Sequence, residues 1–253
     1  MGLALAQLVT GSGLPVTVAA HGLGASIAET RPLLGGVEGT RVFYAARGHG
    51  DSPLPDGPFD YDVLGRDLEQ VADEHAATRA LGVSMGAGAL LSLLGRCPTR
   101  FERVVLFLPA AIDEPRTDAA VRRTAALADA LAAGETEAVE RLVLEEQPPG
   151  LRELPAVRAY ARTRAAYLLS SPGVGRALAA LPRCTPVSDR GVLSAVTAQV
   201  LLLAQEQDPL HPAQVARELA GVLPKARLVV FEQPGALFTE RARLRAEIAS
   251  FLD

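Results

Sequence analysis

The chain has 253 residues, 49% of them hydrophobic and 21% charged, the balance of a globular domain rather than a disordered or fibrous one. Its formal net charge of −4, with Lys225 the only lysine and no basic run, argues against nucleic acid and anionic membranes as partners. The two cysteines, Cys97 and Cys184, show no CxxC or Cys/His spacing, which excludes a disulfide scaffold or structural zinc site and suits a reducing cytosol.

The opening MGLALAQLV is apolar but lacks the basic residues that begin a secretory leader. Glycines 11 and 13 and Pro15 interrupt it well short of membrane-spanning length. Two strands joined by a Gly-rich turn, in a soluble cytoplasmic protein, are the simpler expectation. Further apolar or β-branched runs follow at residues 41–45, 78–83, 103–108, 200–204 and 227–231, after the one at 16–20. Most are apolar throughout, as strands of a parallel sheet covered on both faces would be. Helical patterns separate them at 61–75, 88–96, 213–221 and 240–252, the last with Leu244, Ile248, Phe251 and Leu252 on one face. This alternation predicts right-handed βαβ units and a doubly wound, mostly parallel α/β sheet.

Residues 112–196 break the pattern. Ala/Leu/Arg-rich helices are expected at 118–133, 135–146 and 155–169, with no convincing strand between them. An all-helical insertion between late strands of a parallel sheet is best placed as a cap over the strand ends, where ligands bind. The chain then divides into a core of residues 1–111 and 197–253 and a cap of 112–196.

The sharpest motif is Gly82-Val83-Ser84-Met85-Gly86, which follows one predicted strand and precedes an apolar helix. A tight turn there forces the serine into a strained backbone conformation, and the flanking glycines remove side chains that would clash. Ser84 Oγ then projects into a cleft at a helix amino terminus, where peptide dipoles favour developing negative charge. His21-Gly22-Leu23-Gly24-Ala25-Ser26 follows the strand at 16–20, as an oxyanion loop would. The Leu23 and Met85 N–H groups are the candidate donors to a tetrahedral intermediate. Arg47-Gly48-His49-Gly50-Asp51-Ser52 follows the next strand and reads as a shaped loop.

In this order and after successive strands, HGLG, RGHGDS and GVSMGAG resemble the α/β-hydrolase superfamily. The resemblance extends over nearly the whole chain. It implies the α/β-hydrolase fold and a catalytic acid after the strand that follows the cap. Asp208, in Gln205-Glu206-Gln207-Asp208-Pro209-Leu210-His211-Pro212, maps onto that carboxylate, with Glu206 as a neighbouring alternative. A turn-forming role for Asp208 before Pro209 is the competing reading. The resemblance also predicts a histidine just after the last strand, but Leu237 stands there, and no histidine occurs after His211. Leucine can neither take a proton from Ser84 nor return one to a leaving group.

The chain has four histidines. His75 reads as a surface residue near a helix end, and His21 and His49 as loop residues that hold backbone. His211 comes three residues after Asp208 at the carboxyl end of a strand; it is either the base or a cap and substrate contact before the helix that Pro212 introduces. The leading expectation is hydrolysis of a small, largely apolar ester through a Ser84 acyl-enzyme, with Asp208 as acid and His211 as base. The alternatives are a pseudo-hydrolase that binds a hydrophobic small molecule, and non-hydrolytic chemistry in the same pocket. No cofactor or metal is implied: HGLGAS lacks the G-x-G-x-x-G spacing, and no GK[ST] follows a Gly-rich loop.

Overall fold

The computed structural model describes residues 2–116 and 118–253. Its strands are β1 (Gln7–Thr10), β2 (Val16–Ala20), β3 (Thr40–Tyr44), β4 (Arg79–Val83), β5 (Arg103–Phe107), β6 (Gln199–Gln205) and β7 (Ala226–Phe231). They form one sheet in the order β1-β3-β2-β4-β5-β6-β7. Only β1 runs antiparallel, along β3; every other pairing is parallel. The two amino-terminal strands are thus consecutive but not neighbours, because β3 lies between them. Side-chain pattern alone gives no pairing partner, so the sequence could not show this.

Burial follows the apolar runs. β2 is buried along its whole length, and β5 and β6 are buried beyond their first residue. The helices are α1 (Ile27–Thr30), α2 (Tyr61–Glu74), α3 (Met85–Arg96), α4 (Asp118–Ala132), α5 (Thr136–Glu145), α6 (Pro155–Leu169), α7 (Pro172–Ala180), α8 (Ala213–Val222), α9 (Ala236–Thr239) and α10 (Arg241–Leu252). On one face of the sheet, Leu64 and Leu68 of α2, Leu90 and Leu94 of α3 and Leu219 of α8 enclose Val18, Val104 and Val200. On the other, Leu244, Ile248 and Leu252 of α10 cover Phe43, Leu81 and Phe107. Val18, Leu81, Val104 and Phe107 are fully inaccessible, each worth about 1.5–3 kcal/mol of hydrophobic stabilisation for the larger side chains.

Between β5 and β6 lie α4 to α7, which share an apolar cluster of their own built on Leu127, Val139, Val143, Leu168 and Leu178. Val187, Leu193 and Val196, downstream of α7, pack instead with the main core beside α3. Helix α7 is absent from the pattern read off the sequence, where Pro172 marks an end. Proline lacks the N–H that the first turn leaves unpaired anyway, so here it opens a helix. Helix α3 likewise begins at Met85, three residues earlier than its apolar run suggests. Among the described residues, no helix is long and apolar enough to cross a membrane.

Candidate active site

Strand β4 runs into α3 through Ser84, whose φ is +49° and ψ −103°. That strained conformation is held from both sides: Ser84 N–H donates to the Phe107 carbonyl (2.9 Å), and the Ser84 carbonyl accepts from Gly88 N–H (3.0 Å). The glycines are required by close approach. A Cβ on Gly82 would lie 2.5 Å from the Gly86 carbonyl oxygen, and one on Gly86 would overlap the Ala20 carbonyl. Because a trans peptide points its C=O and N–H in opposite directions, the bond from the Ser84 carbonyl into α3 turns the Met85 N–H away from the helix.

The Leu23 amide is set by the same logic. Its peptide partner, the Gly22 carbonyl, accepts from Ala25 N–H (3.0 Å) and from His21 Nδ1 (2.7 Å), which fixes the Leu23 N–H on the other side. Neither the Leu23 nor the Met85 N–H finds an acceptor among the described residues, and Leu23 lines the same cavity as Ser84. His21 Nε2 accepts from Ala46 N–H (2.9 Å), while His49 Nε2 accepts from Gly24 N–H (3.0 Å) and its Nδ1 meets the Arg47 carbonyl (3.0 Å). Both rings are thus neutral spacers between the two loops, their centroids 4.8 Å apart. Burial lowers the pKa of His21 to about 4, with a smaller push from Arg164. Burial, then the neighbouring His21, lowers that of His49 to about 3. The shaped loop is pinned further by the Arg47–Asp67 fork (2.6 and 2.7 Å) and by Ser52 Oγ, which donates to the Ala45 carbonyl (2.6 Å).

At the end of β6 the chain turns at Gln207, where φ is +56°. Asp208 Oδ1 then accepts the N–H groups of Leu210 (2.9 Å) and His211 (3.0 Å). This Asx-type turn folds the short loop back so that His211 Nδ1 meets Asp208 Oδ2 at 3.1 Å and His211 Nε2 meets Ser84 Oγ at 2.9 Å. A spacing of three residues therefore suffices to line up serine, imidazole and carboxylate. Burial opposes charge on Asp208, but the field of His211 and hydrogen bonds from His211, Gln205 and Leu210 outweigh it. They hold the carboxyl well below the usual carboxylate range. Glu206, the alternative acid, pairs with Arg217 on α8, and His75 sits at the end of α2 against Gln7 (2.7 Å).

Gln205, to which the sequence reading gives no role, joins this line to the rest of the fold. Its Nε2 donates to Asp208 Oδ2 (2.8 Å), and its Oε1 accepts from the N–H groups of Gly235 (3.0 Å) and Ala236 (3.0 Å). The available signal was a glutamine closing the apolar run at 200–204, a polar group that must be satisfied where it is buried. Leu237, on α9, is 39% exposed and lines the cavity without touching chemistry. The cavity encloses about 430 Å³ and is roofed by α4 to α6. Its lining is apolar around Leu127, Leu168 and Phe238, yet Arg116, Arg123 and Glu146 also face it. Arg164 of α6 pairs with Glu29 (2.8 Å) and donates to the Leu23 carbonyl (2.8 Å), tying the roof to the HGLG loop.

The model of the alpha/beta hydrolase family matches residues 17–247. The chain belongs to the alpha/beta hydrolase family. Among solved structures, an esterase from Exiguobacterium antarcticum is 21% identical, with 99% of this chain and 96% of that one covered at a TM-score of 0.80. An enol-lactonase from Burkholderia xenovorans is 23% identical, with 98% and 96% covered at 0.80. A malate-bound thermophilic esterase from Thermogutta terrifontis is 21% identical, with 98% and 92% covered at 0.79. No curated protein matches the chain. At these identities the structural likeness speaks for the shared hydrolase fold; the family membership carries hydrolase-type chemistry as its coarse expectation.

Proposed function

We propose that this alpha/beta hydrolase is a serine esterase acting on a small ester with an apolar body. The observation that carries the reading is the contact of His211 Nε2 with Ser84 Oγ at 2.9 Å, with Asp208 at 3.1 Å behind the ring. As Ser84 attacks the ester carbonyl, His211 takes its proton, and Asp208 orients and stabilises the imidazolium that forms. The carbonyl oxygen gains negative charge beside the Leu23 and Met85 N–H groups, which already point outward and need not reorganise. His211 then gives its proton to the departing alkoxide, leaving an acyl-enzyme on Ser84. Water attacks that acyl group with His211 again as base, releasing the acid and restoring the serine.

The test is covalent and kinetic. A fluorophosphonate should label Ser84 of the full chain, and p-nitrophenyl esters should be turned over. Ser84→Ala should abolish labelling, and His211→Ala should abolish turnover while the fold persists. Equal labelling of Ser84→Ala would refute the nucleophile. Rates equal to buffer for all three proteins would leave a pocket that binds without reacting.

A further inference from the structure

Three arginines that border the cavity have no carboxylate in contact among the described residues. Arg116 donates to the Leu210 carbonyl (2.7 Å) and Arg123 to that of Glu145 (3.1 Å). Arg152 donates to the Gln147 and Glu145 carbonyls, both at 2.8 Å. Backbone carbonyls orient these guanidiniums without neutralising them. The other charges on the wall are matched. Arg164 faces Glu29 at 2.8 Å, Asp208 is occupied by His211, and Glu145 lies 3.9 Å from Arg141. Glu146 alone among the cavity's acids has neither an ion pair nor a hydrogen bond from its carboxyl among the described residues.

Among the described residues, three guanidiniums without an ion pair therefore meet one such carboxyl. That carboxyl balances them poorly, because burial raises its pKa against the fields of Arg164, His211, Arg123 and Arg116. Arg116 is itself largely enclosed, and burial lowers its pKa, but a guanidinium still carries its charge at neutral pH. A desolvated cation without a counterion is a standing cost that an arriving anion removes. Arg116, Arg123 and Glu146 all line the cavity, and the fields of both arginines act on that carboxyl. A cationic ligand there would be repelled by the same groups.

We propose that the ester this site takes carries a carboxylate, seated at Arg116 and Arg123 while the ester carbonyl lies at Ser84. The ester half rests on the function proposed above; the anion subsite stands on the unmatched arginines. A planar carboxylate meets the guanidinium fork with two parallel hydrogen bonds, where an amide or a second ester offers no charge. Arg116 is tied to Leu210, in the loop that carries Asp208 and His211. The acid and ester groups of the substrate are therefore a few carbons apart, as in half-esters of dicarboxylic acids.

The experiment compares monomethyl and dimethyl esters of succinate, adipate and suberate for binding to full-length Ser84→Ala protein by calorimetry. At the fitting chain length the half-ester should bind about 10-fold tighter or more, the yield of one or two charge-assisted hydrogen bonds. The ratio should collapse in Ser84→Ala carrying Arg116→Met, and separately in Ser84→Ala carrying Arg123→Met. Using the ratio within each protein cancels general loosening of the pocket. Diesters bound as tightly at all three lengths, no binding of any half-ester at millimolar concentration, or a preference that survives both substitutions would each overturn the subsite. Wild-type turnover is scored separately. Half-esters bound but never hydrolysed would refute the esterase reading alone, and diesters hydrolysed without discrimination would refute the subsite alone.

Discussion

Acidification tests the site through the two buried imidazoles between its loops. An imidazole that titrates near 6.5 when exposed is held at about 4 for His21 and about 3 for His49. Both are depressed, so the folded state resists protonation while the unfolded chain accepts it. Stability is then fully present above pH 6.5 and falls as pH drops below it, until the folded-state value is reached. Between pH 7.5 and pH 5 each ring accounts for about 2 kcal/mol, or about 4 kcal/mol for the pair. In a chain of this length that corresponds to a drop in Tm of about 8–16 °C. Glu146 works the other way, since its raised pKa lets the folded state take a proton first.

A variant separates these contributions. Gln at position 49 can offer its Oε1 to Gly24 N–H in place of the Nε2 that now accepts it at 3.0 Å. His49→Gln should therefore reduce the stability difference between the two pH values by about 2 kcal/mol, because one titrating group is gone. Urea unfolding of wild type and variant at pH 7.5 and 5 measures it. An unchanged difference would show that His49 is not a buried neutral acceptor. Down to pH 5 His49 stays neutral in the folded state and keeps accepting from Gly24, so the loop that presents the Leu23 amide should hold its shape while stability falls.

Other substitutions probe the remaining parts. Ser84→Ala should lower ester turnover by about 10⁴–10⁶-fold with little change in Tm, measured with a p-nitrophenyl ester, and His211→Ala should follow it closely because the pair acts as a unit. Asp208→Asn should cost about 10³–10⁴-fold in kcat, since the wrong tautomer of His211 is then favoured at Ser84. Gly86→Ala should destabilise by about 3 kcal/mol or more, as its Cβ would overlap the Ala20 carbonyl, and thermal unfolding would register the loss. Gln205→Leu should cost about 2–4 kcal/mol, since Gly235 and Ala236 N–H lose a buried acceptor and Asp208 loses a donor, and both urea unfolding and kcat should report it.

Much of this molecule is legible without coordinates. Strands covered on both faces must be apolar throughout, so Val200 to Ala204 stand out in the sequence as they do in the sheet. The loops announce themselves because geometry forbids side chains at Gly82 and Gly86. What the sequence withholds depends on direction rather than residue type. The line through Asp208 and His211 needs a positive φ at Gln207 and two Asx bonds, neither of which a residue pattern specifies. In the Ala/Arg-rich roof, Arg122 and Arg123 are alike in sequence, but Arg123 is the one that lines the cavity. Helix α7 escaped because a proline that ends one helix also suits the first turn of the next.

Placing the proposed base and acid on one loop changes what holds the imidazole in register. His211 is oriented by Asp208, and Asp208 by the Leu210 and His211 amides and by Gln205. Gln205 is in turn fixed by the Gly235 and Ala236 amides, in the turn just before Leu237. That turn therefore anchors the Asp208–His211 loop through its backbone, while Leu237 serves as cavity wall. The roof reaches both halves of the site through arginines: Arg164 bonds the Leu23 carbonyl in the HGLG loop, and Arg116 bonds the Leu210 carbonyl beside His211. Any shift of α6, or of the segment leading into α4, must accordingly be felt at Leu23 and in the Asp208–His211 loop. A ligand seated between those helices would couple its own fit to the geometry of the reaction.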